Sequence, residues 1–188
     1  GEITVKNDVR TGVELSYYKN GKLEYQVNCV NGKQNGLLKG YYESGQLQQE
    51  TPYTDGKING LRKYYYETGE LWGEEIFEDD KKNGIEKCYH KNKKLLSVIA
   101  YVDGKPTGKG KLYFENGNLE QEIPFKDGKK SGLLKYYYES GELKMEVIFV
   151  YDKENGWAKE YYKSGNLKAE ATFFDGERIG KTNEYPDK

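Results

Sequence analysis

Histidine is nearly missing from this sequence: His90 stands alone in 188 residues, beside two cysteines, one methionine, two tryptophans and four prolines. A single imidazole removes multi-histidine metal centres and leaves no evident base for a nucleophile. No apolar run reaches the roughly 20 residues that cross a bilayer as a helix. Leu, Ile, Val and Phe together supply only about a fifth of the chain, which is little for an aliphatic core. An excess of charge is missing too: 30 Lys and Arg meet 31 Asp and Glu, a net charge of −1. That balance withholds the basic footprint that nucleic acid requires, so nucleic acid is excluded as a partner, and it disfavours membrane lipid.

What the chain does have is tyrosine, 19 of them, and glycine, 23, and both recur on a fixed spacing. A glycine stands at Gly12, Gly36, Gly60, Gly84, Gly108, Gly132, Gly156 and Gly180, a period of 24 without insertion or deletion. Five residues after each of the first seven comes a tyrosine: Tyr17, Tyr41, Tyr65, Tyr89, Tyr113, Tyr137 and Tyr161. Leu23, Leu47, Leu71, Leu95, Leu119, Leu143 and Leu167 follow, and then a late aromatic (Tyr53, Phe77, Tyr101, Phe125, Phe149, Phe173), with Cys29 in its place in the first unit. Between tyrosine and leucine lies Asn-Gly, Ser-Gly or Thr-Gly, as at Asn20-Gly21, Ser44-Gly45 and Thr68-Gly69, which predicts a two-residue hairpin turn. Between units the chain reads Asp-Gly-Lys-x-Asn-Gly or close to it, a second and wider turn centred on Gly56-Lys57 and its equivalents.

The spacing therefore predicts an all-β fold, an elongated single-layer antiparallel meander of stacked β-hairpin repeats. The repeats run 12–35, 36–59, 60–83, 84–107, 108–131, 132–155 and 156–179, with partial units at 1–11 and 180–188 that add a strand at each end. With no linker, residues 1–188 read as one domain. The predicted register places Lys39 opposite Glu50, Lys63 opposite Glu74, Lys111 opposite Glu122, Lys135 opposite Glu146 and Lys159 opposite Glu170. Leu15 and Gln26 stand at these places in the first unit, and Lys87 faces Val98 in the fourth. The same register sets each late aromatic opposite the next opening glycine, where the ring covers a weak strand position, and sets Tyr42, Tyr66, Phe114, Tyr138 and Tyr162 opposite the leucines as a core stripe. The other face carries the invariant tyrosines, the Lys and Glu ladder, and the apolar residue after each opening glycine (Leu37, Leu61, Ile85, Leu133, Trp157).

A catalytic constellation has to be unique, whereas scaffold residues recur, and few residues depart from the repeat. His90 sits where other units have Tyr or Phe and reads as a substitution in an aromatic stripe. Asp55, Asp79, Asp103, Asp127 and Asp175 precede a glycine or its stand-in at turns, where Asp is favoured for its backbone hydrogen bonds, and the alternating acids of a calcium loop are lacking. Asp103 to Gly110 is glycine-rich without the order of a phosphate-binding loop. Cys29 and Cys88 fall about five strands apart, on the order of 24 Å, beyond disulfide reach. Neither a catalytic residue, a metal site nor a cofactor is expected. Trp72, Trp157, Met145 and the fourth unit, where Lys93 replaces the turn glycine, are the irregular positions.

The units beginning Gly36-Leu-Leu-Lys-Gly-Tyr-Tyr-Glu-Ser-Gly-Gln-Leu and Gly132-Leu-Leu-Lys-Tyr-Tyr-Tyr-Glu-Ser-Gly-Glu-Leu, each followed by an aromatic and Asp-Gly-Lys or a variant, resemble the MORN-repeat-variant family of bacteria. The resemblance implies extended antiparallel sheets of stacked hairpins. It also implies two labels met in that family: YwqK-type antitoxin, and a phosphatidylinositol phosphate kinase label inherited from plant kinases that carry a MORN array. No residues here match a kinase core. The expected function is a non-enzymatic scaffold that binds a protein, or a second copy of itself, through a tyrosine-rich face made of Tyr17, Tyr41, Tyr65, Tyr89, Tyr113, Tyr137, Tyr161, Trp72 and Trp157. An antitoxin that neutralises a cognate toxin is the alternative, and a lipid-binding module ranks below both. Gly1 in place of an initiator methionine fits a trimmed start, so a cytoplasmic location and a secreted one after removal of a signal segment are both open.

Overall fold

A computed structural model describes the backbone of residues 3–6 and 9–188 and the side chains from Thr11 onward. Among the described residues every regular element is a strand, and every pairing is antiparallel. The chain divides into two compact units, Gly1–Lys93 and Lys94–Lys188. In the first, Val9–Tyr17 pairs with Leu23–Val30, Gly36–Tyr41 with Leu47–Thr54, and Gly60–Tyr65 with Leu71–Glu78, which also pairs with Gly84–Tyr89. In the second, Leu95–Val102, Lys105–Tyr113, Leu119–Lys126, Gly132–Tyr137, Leu143–Val150, Lys153–Tyr161, Leu167–Phe174 and Glu177–Glu184 each pair with the next.

All five Lys–Glu oppositions that the spacing predicts are present. The turns that produce them exchange their expected roles. Within a hairpin the connection has three residues: Gly45 N–H donates to the Tyr42 carbonyl at 2.8 Å and Tyr42 N–H to the Gln46 carbonyl at 2.8 Å. Gly45 alone takes a positive φ, 96°, and its partner Ser44 does not. This is a three-residue loop closed by a glycine in a left-handed conformation, not a two-residue turn that needs positive φ at both central positions. The three-residue loop shifts the pairing by one, and Gln48 then bulges out and shifts it back, so Lys39 still meets Glu50. As a consequence Tyr41, and not Tyr42, faces Leu47, which overturns the expected core stripe.

Between hairpins the turn is the tight one. Thr54 pairs with Lys57 across Asp55 and Gly56, whose φ angles are 51° and 85°. That is the geometry of a type I′ turn, and Asp tolerates the left-handed region better than most residues. Two extra residues are absorbed just beyond, at Asn59-Gly60, where Asn59 N–H reaches the Pro52 carbonyl at 2.9 Å and Gly60 has φ 112°. The opening glycines share this requirement, with φ between 67° and 138°. Each late aromatic consequently opposes the glycine that opens its own hairpin, Tyr53 with Gly36 and Phe77 with Gly60, rather than the next one.

Strand alternation then separates two faces. One carries the most buried side chains, at the second and fifteenth positions after each opening glycine: Leu38 with Thr51, Leu134 with Val147, and Ala158 with Ala171. Leu134 is fully buried and Val147 nearly so. The other face carries the charge ladder.

Candidate functional site

On the ladder face Glu50, Glu74, Glu122 and Glu146 each lie between two lysines, and Glu170 lies between Lys159 and Asn183. Glu50 pairs with Lys39 on one side and Lys63 on the other, Glu74 with Lys63 and Lys87, and Glu146 with Lys135 and Lys159. The ion pairs measure 3.9 Å for Lys39–Glu50, 3.6 Å for Lys87–Glu74 and 3.0 Å for Lys135–Glu146. Half-exposed pairs of this kind contribute tenths of a kcal/mol each. The invariant tyrosines join the same row. Tyr65 donates to Glu50 at 2.9 Å, Tyr89 to Glu74 at 2.9 Å, Tyr161 to Glu146 at 3.2 Å and Tyr137 to Glu122 at 3.4 Å. Burial, then the hydrogen bond to a carboxylate, pushes the Tyr65 and Tyr89 hydroxyls up to about 12.

The second tyrosine of each unit has a different task. Tyr18, Tyr42, Tyr66, Tyr138 and Tyr162 donate their hydroxyls to the backbone carbonyls of Tyr41, Tyr65, Tyr89, Tyr161 and Tyr185, at 2.6 to 3.0 Å and always 23 residues ahead. Each is a latch from one hairpin to the next, placed where the pairing is interrupted by the turn and the bulge. His90 and Phe114 occupy the same place without a hydroxyl.

The residues expected to form one binding face divide. The seven invariant tyrosines lie on the ladder face, where Tyr17 is the most exposed at 57%. Trp157 joins that face, opposite Thr172 and with the Lys159 ammonium 5.1 Å from its ring. Trp72 does not. It occupies the bulge position equivalent to Gln48 and meets the ring of Tyr64, on the buried-row face, edge to face at 5.5 Å. Beside the ladder, the positions after the opening glycines and their cross-strand partners leave Leu37, Leu61, Ile76 and Ile85 in the first unit exposed by 41–48%. In the second unit Leu133 and Ile179 stand at the same level, 37% and 52% exposed.

The buried-row face of the first unit holds an ionic cluster that sequence reasoning missed. Arg62 opposes Glu75, and Lys82 lies 3.2 Å from Glu75 Oε2 and also pairs with Glu86. The Arg62 guanidinium sits 4.5 Å from the Tyr64 ring centre and donates to Gln49 Oε1 at 3.1 Å. Burial pulls the Lys82 ammonium down, but hydrogen bonds and charge from Glu86 and Glu75 outweigh it and hold Lys82 above the ordinary lysine range. A lysine held protonated between two carboxylates offers neither a nucleophile nor a base. Burial pushes the Tyr64 hydroxyl up to about 12. Among the described residues no three His, Cys, Asp or Glu side chains converge to hold a metal ion. Cys29 and Cys88 are not joined in a disulfide, and the Cys29 thiol donates to Glu14 at 3.3 Å.

Next to this cluster, at the three-residue-turn end of the second and third hairpins, a cleft of about 450 Å³ opens between Tyr42, Gln48, Gln49, Tyr64, Tyr65, Tyr66 and Trp72. In the second unit the corresponding place is lined by Glu160, Lys168 and Glu184, and Lys168 is paired to Glu160 at 2.7 Å.

The model of the MORN repeat variant matches seven consecutive segments, 10–31, 34–55, 58–79, 82–103, 106–127, 130–151 and 154–175. The chain belongs to the MORN-repeat-variant family. Each matched segment holds one three-residue turn and ends at the Asp-Gly turn or its stand-in, so the MORN repeat here is a hairpin together with the connection to its neighbour. No curated protein matches the chain. A crystal structure of a protein of unknown function from Bacteroides fragilis aligns over 94% of both chains at 10% identity with a TM-score of 0.14, too low to bear on the fold. The cluster centres on the third MORN repeat and the cleft lies between the second and third, and their signal was present in the sequence. Arg62 stands where other repeats have Leu38 or Leu134 and where the first and fourth have Glu14 and Glu86, and Glu75 is the one charge at the place of Ile123 or Val147.

Proposed function

We propose that this protein is a non-enzymatic interaction scaffold that docks on a protein partner through its ladder face. One observation carries the reading: Leu37, Leu61, Ile76 and Ile85 stand exposed in a single row beside the Lys, Glu and Tyr ladder, and Leu133 and Ile179 repeat the arrangement in the second unit. Scattered exposed aliphatics are ordinary, whereas a row of them on one face marks an association surface. The ladder beneath them is rigid, because each carboxylate already holds a lysine, a tyrosine hydroxyl or both. A partner therefore meets preordered rings and methyl groups and does not have to immobilise them. On the opposite face Arg62 opposes Glu75 and Lys82 pairs with Glu75 and Glu86, which supports binding over catalysis.

A photo-reactive side chain introduced at Leu61 or Ile85, with a control at Ser44 in a turn, tests the reading inside cells that express the chain. Covalent adducts with a protein are expected from Leu61 and Ile85 and not from Ser44. Adducts from Ser44 with both face positions silent would refute it.

A further inference from the structure

Phe114 brings a ring but no hydroxyl to the row of latches. In five sister hairpins the second tyrosine donates to a carbonyl 23 residues ahead. The matching carbonyl for Phe114 belongs to Tyr137, and Phe114 has no donor to give it. An acceptor that the array uses elsewhere is thus without its latch, at the turn end of the fifth and sixth hairpins.

The two positions that flank such a ring are altered there as well. One is the bulge residue of the ring's own hairpin, and the other follows the second tyrosine of the next hairpin. Wherever a lysine occupies either position beside a ring of this series, its ammonium lies over that ring. Lys144 and Lys163 stand 5.7 and 5.6 Å from the Tyr138 ring centre, Lys168 stands 5.9 Å from that of Tyr162, and Lys91 stands 5.6 Å from that of Tyr66. Around Phe114 the same two positions are Glu120 and Glu139. Asn116 and Asn118 fix the second of them by donating to the Glu139 carbonyl at 2.9 and 2.8 Å. Gln121 Nε2 lies 3.4 Å from Glu120 Oε1, and neither carboxylate has an ion pair among the described residues. Tyr18 also has glutamates at both positions, Glu24 and Glu43, but in that gap Lys22 gives its ammonium to the Ser44 carbonyl at 2.8 Å. In the fifth hairpin Asn118 stands in place of Lys22.

A ring face and a carboxylate both attract a cation. At Tyr138 and Tyr162 the chain supplies that cation itself. At Phe114 the ring is kept, the charge of its two neighbours is reversed, and a backbone acceptor is added. Three acceptors match the three N–H groups of a primary ammonium, which only donates. We propose that this slot takes a lysine side chain of a protein partner, with its ammonium over the Phe114 ring and its N–H groups on Glu120, Glu139 and the Tyr137 carbonyl. The chain's own lysines on the sister rings are the template for the pose. The assignment rests on the scaffold reading above and adds a contact at the hairpin turns of the second unit.

The full chain is titrated with acetyl-Gly-Lys-Gly amide while the Phe114 and Tyr18 ring resonances are followed. Saturable movement at Phe114 and none at Tyr18 is expected, and acetylation of the lysine Nε is expected to abolish it. Glu120→Lys with Glu139→Lys copies the surroundings of Tyr138, which keeps the hairpin, and is expected to weaken affinity at least ~10-fold. Phe114→Tyr, the residue of five sister hairpins, gives the Tyr137 carbonyl a donor of its own and is expected to weaken affinity about 3-fold. No movement at roughly 10 mM peptide overturns the proposal. So do equal movement at Tyr18, equal binding of the acetylated peptide, or an affinity that both variants leave unchanged. Tighter binding of monoacetylputrescine, which carries the same single charge, overturns it in favour of a free polyamine. Crosslinking from Leu61 separates the two readings. Adducts there with the peptide silent would leave the scaffold standing and remove only the lysine slot.

Discussion

The two halves of the molecule are built on one repeat and differ most along the row that should be their core. In the second unit that row is apolar throughout: Gly110 faces Ile123, Leu134 faces Val147 and Ala158 faces Ala171. In the first unit Leu38 faces Thr51, and Arg62 faces Glu75. The backbone is the same in both, down to the three-residue turns, the bulges and the hydroxyl latches. A repeat array shares its stability between neighbours, so one hairpin can carry charges that a lone hairpin could not afford. The second unit thus keeps an apolar row, while the first replaces part of that row with opposed charges.

The largest test of that contrast is Leu134→Ala. Removing a fully buried side chain between Val147 and the neighbouring strands is expected to cost about 2–5 kcal/mol, read as a fall in the denaturant midpoint. A cost under about 1 kcal/mol would mean that the apolar row is not what holds the second unit. In the first unit Glu75→Ala leaves Arg62 and Lys82 short of a partner and is expected to cost about 2–3 kcal/mol. The double change Arg62→Leu with Glu75→Val, which copies the Leu134 and Val147 arrangement, is expected to return to within about 1 kcal/mol of the parent. If the double variant is as weak as the single one, the cluster is structural in a way that its sister row does not predict.

Alkaline titration reaches the first unit through its tyrosines. Tyr64, Tyr65 and Tyr89 have hydroxyls raised to about 12 in the fold, against about 10 in an unfolded chain. A raised folded pKa means that the neutral form is favoured, so the contribution is whole below about pH 10 and is lost as pH climbs toward about 12. Melting temperature is expected to fall across that window, in step with a delayed rise in tyrosinate absorbance. A rise complete by about pH 10 would show that these hydroxyls are not held by the ladder. The smallest expected effect is a gain. Thr51 is 1% exposed, and its Oγ1 has no hydrogen-bond partner among the described residues. Thr51→Val, the residue at the matching place in the first and sixth repeats, is expected to add about 1 kcal/mol, measurable by thermal melting.

Much of this was legible in the sequence. The period gave the hairpins, and the Lys and Glu spacing gave their register correctly away from the turns. The turns themselves were misread, although the chain carried the clue. Asn20, Ser44 and Thr68 alternate before the hairpin glycine, and Ser and Thr do not enter the left-handed region readily, so that dipeptide could not be a type I′ turn. Asp, which does enter it, marks the inter-hairpin turn at Asp55, Asp79, Asp103, Asp127 and Asp175. The invariant tyrosines were placed on the right face. The second tyrosine series was not, because a one-residue bulge at Gln48 or Trp72 has no signature of its own. Trp72 was grouped with Trp157 for the same reason: the bulge turns it to the other side. The ionic cluster was visible only as a lapse in apolar patterning at Arg62 and Glu75, whose pairing needed the fold.

The hydroxyl latch has a consequence for how such a protein can change its length. Five of the seven hairpins bring a donor, the second tyrosine, and its acceptor is the carbonyl of the first tyrosine of the successor, always 23 residues on. A tandem duplication of 24 residues that spans a hairpin with the second tyrosine delivers a new hairpin with both halves of its joint. The neighbours on either side keep theirs as well. Gene duplication can therefore add or delete whole repeats without a seam, while an insertion of any other length strands a tyrosine opposite nothing.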